Sequence, residues 1–215
     1  MSGGTEVELV EEVVALRGHE LVIMRPRDSE ALLDEAAFEH EEFLPYWAEL
    51  WPSSLALARA VERRSFRGAG VLELGCGLAI PSIVAALGGA RVLATDWSPA
   101  AVELAAQNAA RNSAVLETAV VSWAEPGRLL ERAPWSLVLA SDVLYERRNV
   151  ELLLELLPRL ADHRTELLLA EPGRPPAKAF FEAADDDWQI EKLEGTVPVY
   201  RLRRRSTRPR GAAPR

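Results

Sequence analysis

The sequence predicts an α/β fold, a single doubly wound Rossmann-like sheet of seven mostly parallel strands with helices on both faces. Three observations carry that expectation. From Val71 onward, short apolar runs rich in Val and Leu alternate with segments of helical period, the pattern of a parallel sheet covered on both sides. The glycine pair of Gly75-Cys76-Gly77 follows the first of these runs, at the strand-to-helix turn where open sheets meet their ligands. With 215 residues, 48% of them hydrophobic, the chain is long enough for one substantial core.

The elements follow in order. Glu6 to Ala15 and Glu20 to Arg25 are rich in Val, Leu and Ile and flank Leu16-Arg17-Gly18-His19, which reads as an N-terminal hairpin turning at Gly18. The acidic passage DSEALLDEAAFEHEEFLPYWAELW reads as partly helical and ends in aromatics. In PSSLALARAVERR, Pro52 suits a first helical turn, and Leu55, Leu57, Ala58 and Val61 recur at helical spacing. Then come VLEL and IPSIVAAL, RVLAT and PAAVELAAQNAARN, a short strand near Leu116 to Val121, and SLVLA followed by NVELLLELLPRL. TELLLA, a helix around Pro176 to Ala184, and strands near Trp188 to Leu193 and Val199 to Arg203 complete the series. The short link holding Gly195 makes the last two strands an antiparallel edge hairpin. We expect one domain over residues 1–205, with the hairpin and a cap region in 1–45 and the core in 46–205, and a disordered basic tail over 206–215.

Charge and composition narrow the function classes. The last fifteen residues hold seven of the 25 basic residues and none of the 33 acidic ones, so the remainder carries −15, seven units below the whole-chain −8. An acidic body repels phosphate backbones, so no nucleic-acid partner is expected. No apolar run approaches the ~20 residues of a membrane span, no basic-then-apolar leader opens the chain, and Cys76 is the only cysteine. A cytoplasmic protein without a membrane partner, monomeric or weakly oligomeric, is the expectation. His19, His40 and His163 lack ligand spacing, so no metal site is expected. Neither a G-x-S-x-G elbow nor a G-x-x-x-x-G-K-[ST] phosphate loop occurs.

Glycines at the first turn permit positive φ and remove the Cβ that blocks a ligand lying against backbone amides. Asp96 closes the second strand, 21 positions after Gly75, where a carboxylate can accept both hydroxyls of a ribose. Ile80 stands where the dinucleotide fingerprint needs its third glycine, with Pro81 next. Glu73 is ill placed beside a diphosphate and better matched to a ligand carrying positive charge, such as a sulfonium. These signs point away from an NAD-dependent oxidoreductase.

The run E-L-G-C-G with Asp96 after the next strand resembles motif I and the acidic partner of class I S-adenosylmethionine-dependent methyltransferases. PYWAELWPSSLALARAV before it and SDVLYE after the fourth strand narrow the resemblance to the seven-strand protein-lysine methyltransferases with a D-x-x-Y motif. EPGR after the fifth strand is similar to the D/E-P-G-R of bacterial-type relatives acting on electron-transfer flavoprotein. The match runs from about Tyr46 to Arg174.

The resemblance implies S-adenosylmethionine as cofactor, with Glu73, Gly75 and Gly77 lining its methionine end, Asp96 on the ribose and Trp97 beside the adenine. Trp51 falls against the cofactor. Cys76, between the glycines, and Ser141, closing the fourth strand, join the cofactor set. Ser122-Trp123 stand at the adenine amino group, with Ser122 replacing the acidic residue common in relatives, and Ala79 replaces a third motif I glycine. Asp142 and Tyr145 are the candidate catalytic pair, since a carboxylate or phenol can orient an amine and help take up its proton; a loop cap and a half-buried packing residue are the plainer readings. Tyr46 and Trp47 stand near the acceptor channel, and an aromatic wall can hold a cation. Glu171 and Arg174 either bind the acceptor or cap a loop at Pro172-Gly173. The activity implied is methyl transfer to nitrogen, with a protein lysine ahead of a small-molecule N- or O-acceptor or a noncatalytic cofactor-binding module.

Overall fold

The computed structural model describes residues 7–29, Leu32 and 46–205. Most of the acidic passage and the basic tail lie outside the described residues.

Strands β1 (Leu9–Ala15) and β2 (Glu20–Pro26) form the antiparallel hairpin. The turn is fastened from outside, because the backbone N–H groups of Arg17 and Gly18 both donate to the Glu62 carboxylate. A short 3-10 turn, Tyr46–Ala48, leads into helix α1 (Pro52–Glu62), which starts on its proline as a helix can without losing a hydrogen bond.

From β3 (Gly70–Leu74) the alternation is regular: α2 (Ile80–Leu87), β4 (Arg91–Asp96), α3 (Pro99–Arg111), β5 (Glu117–Val120). A single turn, α4 (Gly127–Leu130), precedes β6 (Leu137–Ser141), α5 (Arg147–Leu160), β7 (Glu166–Ala170) and α6 (Pro175–Ala184). Strands β8 (Trp188–Leu193) and β9 (Val199–Arg204) follow. The spatial order is β5-β4-β3-β6-β7-β9-β8, with β3 to β7 parallel and β9 antiparallel to both neighbours. The predicted seven-stranded sheet and its edge hairpin are therefore present, with β9 inserted inside β8.

Side-chain alternation splits the core between the two faces. Val71, Leu137 and Leu139 pack with α1, α2 and the hairpin, while Leu72, Leu74, Val138 and Ala140 pack with α5 and α6. The hairpin is tied to α3 by side chains that imitate backbone. Asn108 and Asn112 each accept from and donate to one residue of β2, Met24 and Val22, capping four polar groups of the β2 edge.

The strand order reverses between β3 and β6, since the chain crosses from β3 outward to β4 and β5 before returning to β6. Register aligns Leu74 with Thr95 and with Ala140, and Ser141 with Ala170. Gly75, Asp96, Asp142 and Glu171 thus emerge together at one edge, around the crevice where open parallel sheets take ligands.

Candidate active site

A cavity of about 320 Å³ opens at that edge. Thirteen of the sixteen residues singled out from the sequence line it: Gly75, Cys76, Gly77, Asp96 and Trp97 from the ends of β3 and β4; Ser122 and Trp123 after β5; Ser141, Asp142 and Tyr145 after β6; and Tyr46, Trp47 and Trp51 ahead of α1. Glu73, Glu171 and Arg174 do not.

The first half of the wall is built from backbone. Gly75 and Gly77 have φ of +65° and +48°, and a Cβ there lies 3.0 Å from Val143 Cγ1 and from the Trp47 carbonyl oxygen, respectively. Conformation and space therefore both favour glycine. Ala79 adopts the same left-handed region, φ 61°, so the loop keeps its course without the third glycine. Asp96 accepts from the backbone N–H of Gly77 at 3.0 Å and of Ser98 at 3.1 Å. Burial pushes its carboxyl above the usual range, against the pull of those N–H groups. Trp97 is 42% exposed at the rim. Cys76 is buried, its thiol pushed up by burial and by the neighbouring acids.

Glu73 lies beneath this wall. It shares the face of Val71, so its side chain runs into the core toward α2, where Oε2 accepts from the hydroxyl and the backbone N–H of Ser82. Oε1 has no hydrogen-bond partner, and complete burial raises the pKa to about 8. The carboxyl that sequence reasoning set against a sulfonium braces the start of α2 instead. The alternation of β3 carried that signal.

The second half is built from side chains. Asp142, at φ +58°, is 8% exposed, and each carboxylate oxygen has a donor: Arg174 Nε at 2.7 Å on Oδ1 and the Ser53 hydroxyl at 2.8 Å on Oδ2. Arg174 Cζ lies 5.5 Å from the Trp51 ring centroid. The Tyr145 ring meets Tyr46 edge-on at 5.3 Å. Tyr46 in turn faces Trp51, whose indole N–H donates to the Tyr46 carbonyl. Burial raises the Tyr145 phenol, partly opposed by a hydrogen bond from Asn149. Glu171 is fully buried and accepts at Oε1 from the backbone N–H groups of Gly173 and Arg174, which fixes the backbone from which Arg174 reaches Asp142. Ser53, Asn149, Glu49 and Leu152 escaped the sequence reading; the first acts through Asp142, and the others line the cavity. Among the described residues no acidic, histidine and cysteine side chains group as a metal site.

A glycine cradle, a carboxylate at the end of the next strand and an acid-aromatic wall opposite define the site on which comparison with known proteins bears. The family model described as lysine methyltransferase matches residues 41–187. This chain belongs to the lysine methyltransferase family. The electron transfer flavoprotein beta subunit lysine methyltransferase of Xenopus laevis is 37% identical over 134 residues, 60% of this chain and 53% of that protein. The human histone-arginine methyltransferase METTL23 is 29% identical over 67% of this chain and 75% of its own length. The chain thus spans about half the length of the frog relative. Among solved structures, the Thermus thermophilus 16S rRNA N2 G1207 methyltransferase, in complex with AdoMet and guanosine, matches with a TM-score of 0.66 at 15% identity, over 94% of this chain and 52% of that one. That likeness shows the shared fold. The matched span includes the crevice where Gly75, Asp96 and Asp142 converge.

Proposed function

We propose that the protein transfers the methyl group of S-adenosylmethionine to the side-chain amine of a protein lysine. The observation that carries this reading is one cavity with two unlike walls, a backbone cradle beside Asp96 and a carboxylate set among aromatic rings. The residues fit the cofactor: the absence of a Cβ at Gly75 and Gly77 leaves backbone open to a ligand, Asp96 sits where ribose hydroxyls need an acceptor, and Trp97 and Trp123 offer flat faces to a base. S-adenosylmethionine supplies a methyl carbon already activated by its sulfonium.

The chain's own residues then have two tasks. They hold the acceptor nitrogen in line with that carbon, where positioning alone accounts for much of the rate, and they accommodate a proton. A lysine amine must be neutral when its lone pair forms the new C–N bond as the C–S bond breaks, and the methylated product gives up its extra proton afterwards. Asp142 presents negative charge to a cationic amine, and the phenol oxygen of Tyr145 accepts a hydrogen bond from it once it is neutral. Tyr46, Trp47 and Trp51 exclude water and favour a cation by their ring faces. A protein acceptor agrees with the names borne by the relatives.

The test is incubation with labelled methyl donor and a cell lysate divided into protein and small-molecule fractions, followed by hydrolysis of the protein. Label recovered as methyllysine is the expected result. Label only in small molecules rejects the protein acceptor, methylarginine rejects lysine, and no label despite cofactor binding rejects catalysis.

A further inference from the structure

We propose that Asp142 is a shared cation seat, held by the guanidinium of Arg174 until the acceptor's ammonium displaces it. The inference rests on the methyl-transfer reading and adds to it the order of events at the acceptor wall. Arg174 makes the two contacts that a cationic acceptor at this wall requires, a carboxylate at 2.7 Å and an aromatic face at 5.5 Å. Asp142 and Trp51 both line the cavity, but Arg174 does not, so it reaches them from outside the lining.

Three features make the seat exchangeable. Only Nε of Arg174 bonds Asp142, a one-point contact that forgoes the two-point fork by which arginine holds a carboxylate most firmly. Arg174 is the outer member, its side chain 36% exposed against 7% for Asp142, so the guanidinium can swing to water without uncovering core. Its backbone stays anchored by the Glu171 carboxylate, which confines the movement to the side chain. The buried Ser53 hydroxyl keeps its bond to Oδ2 throughout and so preserves the aim of the carboxylate while the cation on Oδ1 changes. Removing a buried charge's partner is costly unless a replacement arrives, so a neutral acceptor should not evict Arg174.

The experiment uses the full chain with S-adenosylhomocysteine present and n-butylammonium as a lysine side-chain probe. In nitrogen-15 spectra the Nε–H signal of Arg174, assigned by its loss in Arg174→Lys, should shift or exchange with water as n-butylammonium is added, and should stay in place with n-butanol. An unmoved signal, or equal effects of amine and alcohol, overturns the proposal. In calorimetry, Arg174→Met should bind n-butylammonium about fivefold tighter or more, because the competing cation is gone, and Ser53→Ala should bind it more weakly. Unchanged or weaker binding in Arg174→Met overturns the proposal, making Arg174 an acceptor-holding residue. Should that variant fail to fold, the spectrum of the unmodified chain decides alone. S-adenosylhomocysteine binding, measured separately in the same instrument, tests the methyl-transfer reading, so a failure there is distinguishable from failure of cation exchange.

Discussion

Two buried carboxyl groups, Glu73 and Asp142, stand at the ends of neighbouring strands β3 and β6, and they are stabilised by opposite means. Glu73 is fully buried, has no ion pair among the described residues, and leaves one oxygen without a partner, so the protein holds it largely as the neutral acid near neutral pH. Asp142 has a guanidinium on one oxygen and a hydroxyl on the other. The difference follows from the side of the strand each occupies. Glu73 points into packed core and braces the helix beneath the glycine cradle, whereas Asp142 lines the cavity with a partly exposed arginine on it. One half of the cavity is a mould of backbone and the other a grip of side chains.

The largest expected effect comes from the titration of Glu73. Its folded pKa of about 8 lies above the ordinary value of 4.5, so between those values the folded state binds a proton that the unfolded chain has released. Stability from this group is complete below about pH 4.5 and is lost as pH rises through about 8. The decline amounts to as much as roughly 5 kcal/mol across the window. Glu73→Gln removes the titration and should flatten melting temperature against pH between 4.5 and 8. A slope equal to that of the unmodified protein would mean that another group causes it.

Next in size is Gly77→Ala, which tests whether the mould is steric. The new Cβ meets the Trp47 carbonyl oxygen at 3.0 Å in a left-handed conformation, so overpacking and backbone strain together should cost roughly 2–4 kcal/mol of stability. Binding of S-adenosylhomocysteine by calorimetry should disappear. An alanine variant that binds normally would show that the cradle yields.

Asp142→Ala should affect the other half alone. Cofactor affinity is expected to remain within about twofold, while methylation of lysate protein falls by about a hundredfold, the range associated with loss of a group that orients and deprotonates. Unchanged turnover removes Asp142 from the catalytic pair, and lost cofactor binding means that the two halves are not separable.

The same contrast explains what the sequence disclosed. The cradle was legible because its parts are local: Gly75 and Gly77 follow one apolar run, and Asp96 ends the next at a distance fixed by one helix. The long elements were legible for the same reason, their periods being written in consecutive residues. The single turns Tyr46–Ala48 and Gly127–Leu130 are too short to display a period. The grip on Asp142 was hidden because its donors stand 89 and 32 residues away, and only the packing of α1 against the sheet and the turn after β7 bring them together. Arg174 is expected from the sequence either at the acceptor or in a capped loop, and its ion pair with Asp142 has no sequence signature.

The smallest effect concerns Ser122, an adjustment to the mould. Its hydroxyl accepts from the Ala124 N–H at 3.3 Å, and the residue is exposed at the cavity wall beside Trp123. Ser122→Asp keeps an oxygen for Ala124 and adds a second, charged acceptor beside Trp123. A charge-assisted hydrogen bond to an adenine amino group at an exposed site is worth about 1 kcal/mol, so S-adenosylhomocysteine should bind about fivefold tighter. S-inosylhomocysteine, in which a carbonyl replaces the amino group, should gain nothing and should bind more weakly to the variant than to the unmodified protein. Equal gains for both ligands would mean that residue 122 acts through the general field of the wall and leaves adenine recognition to Trp123.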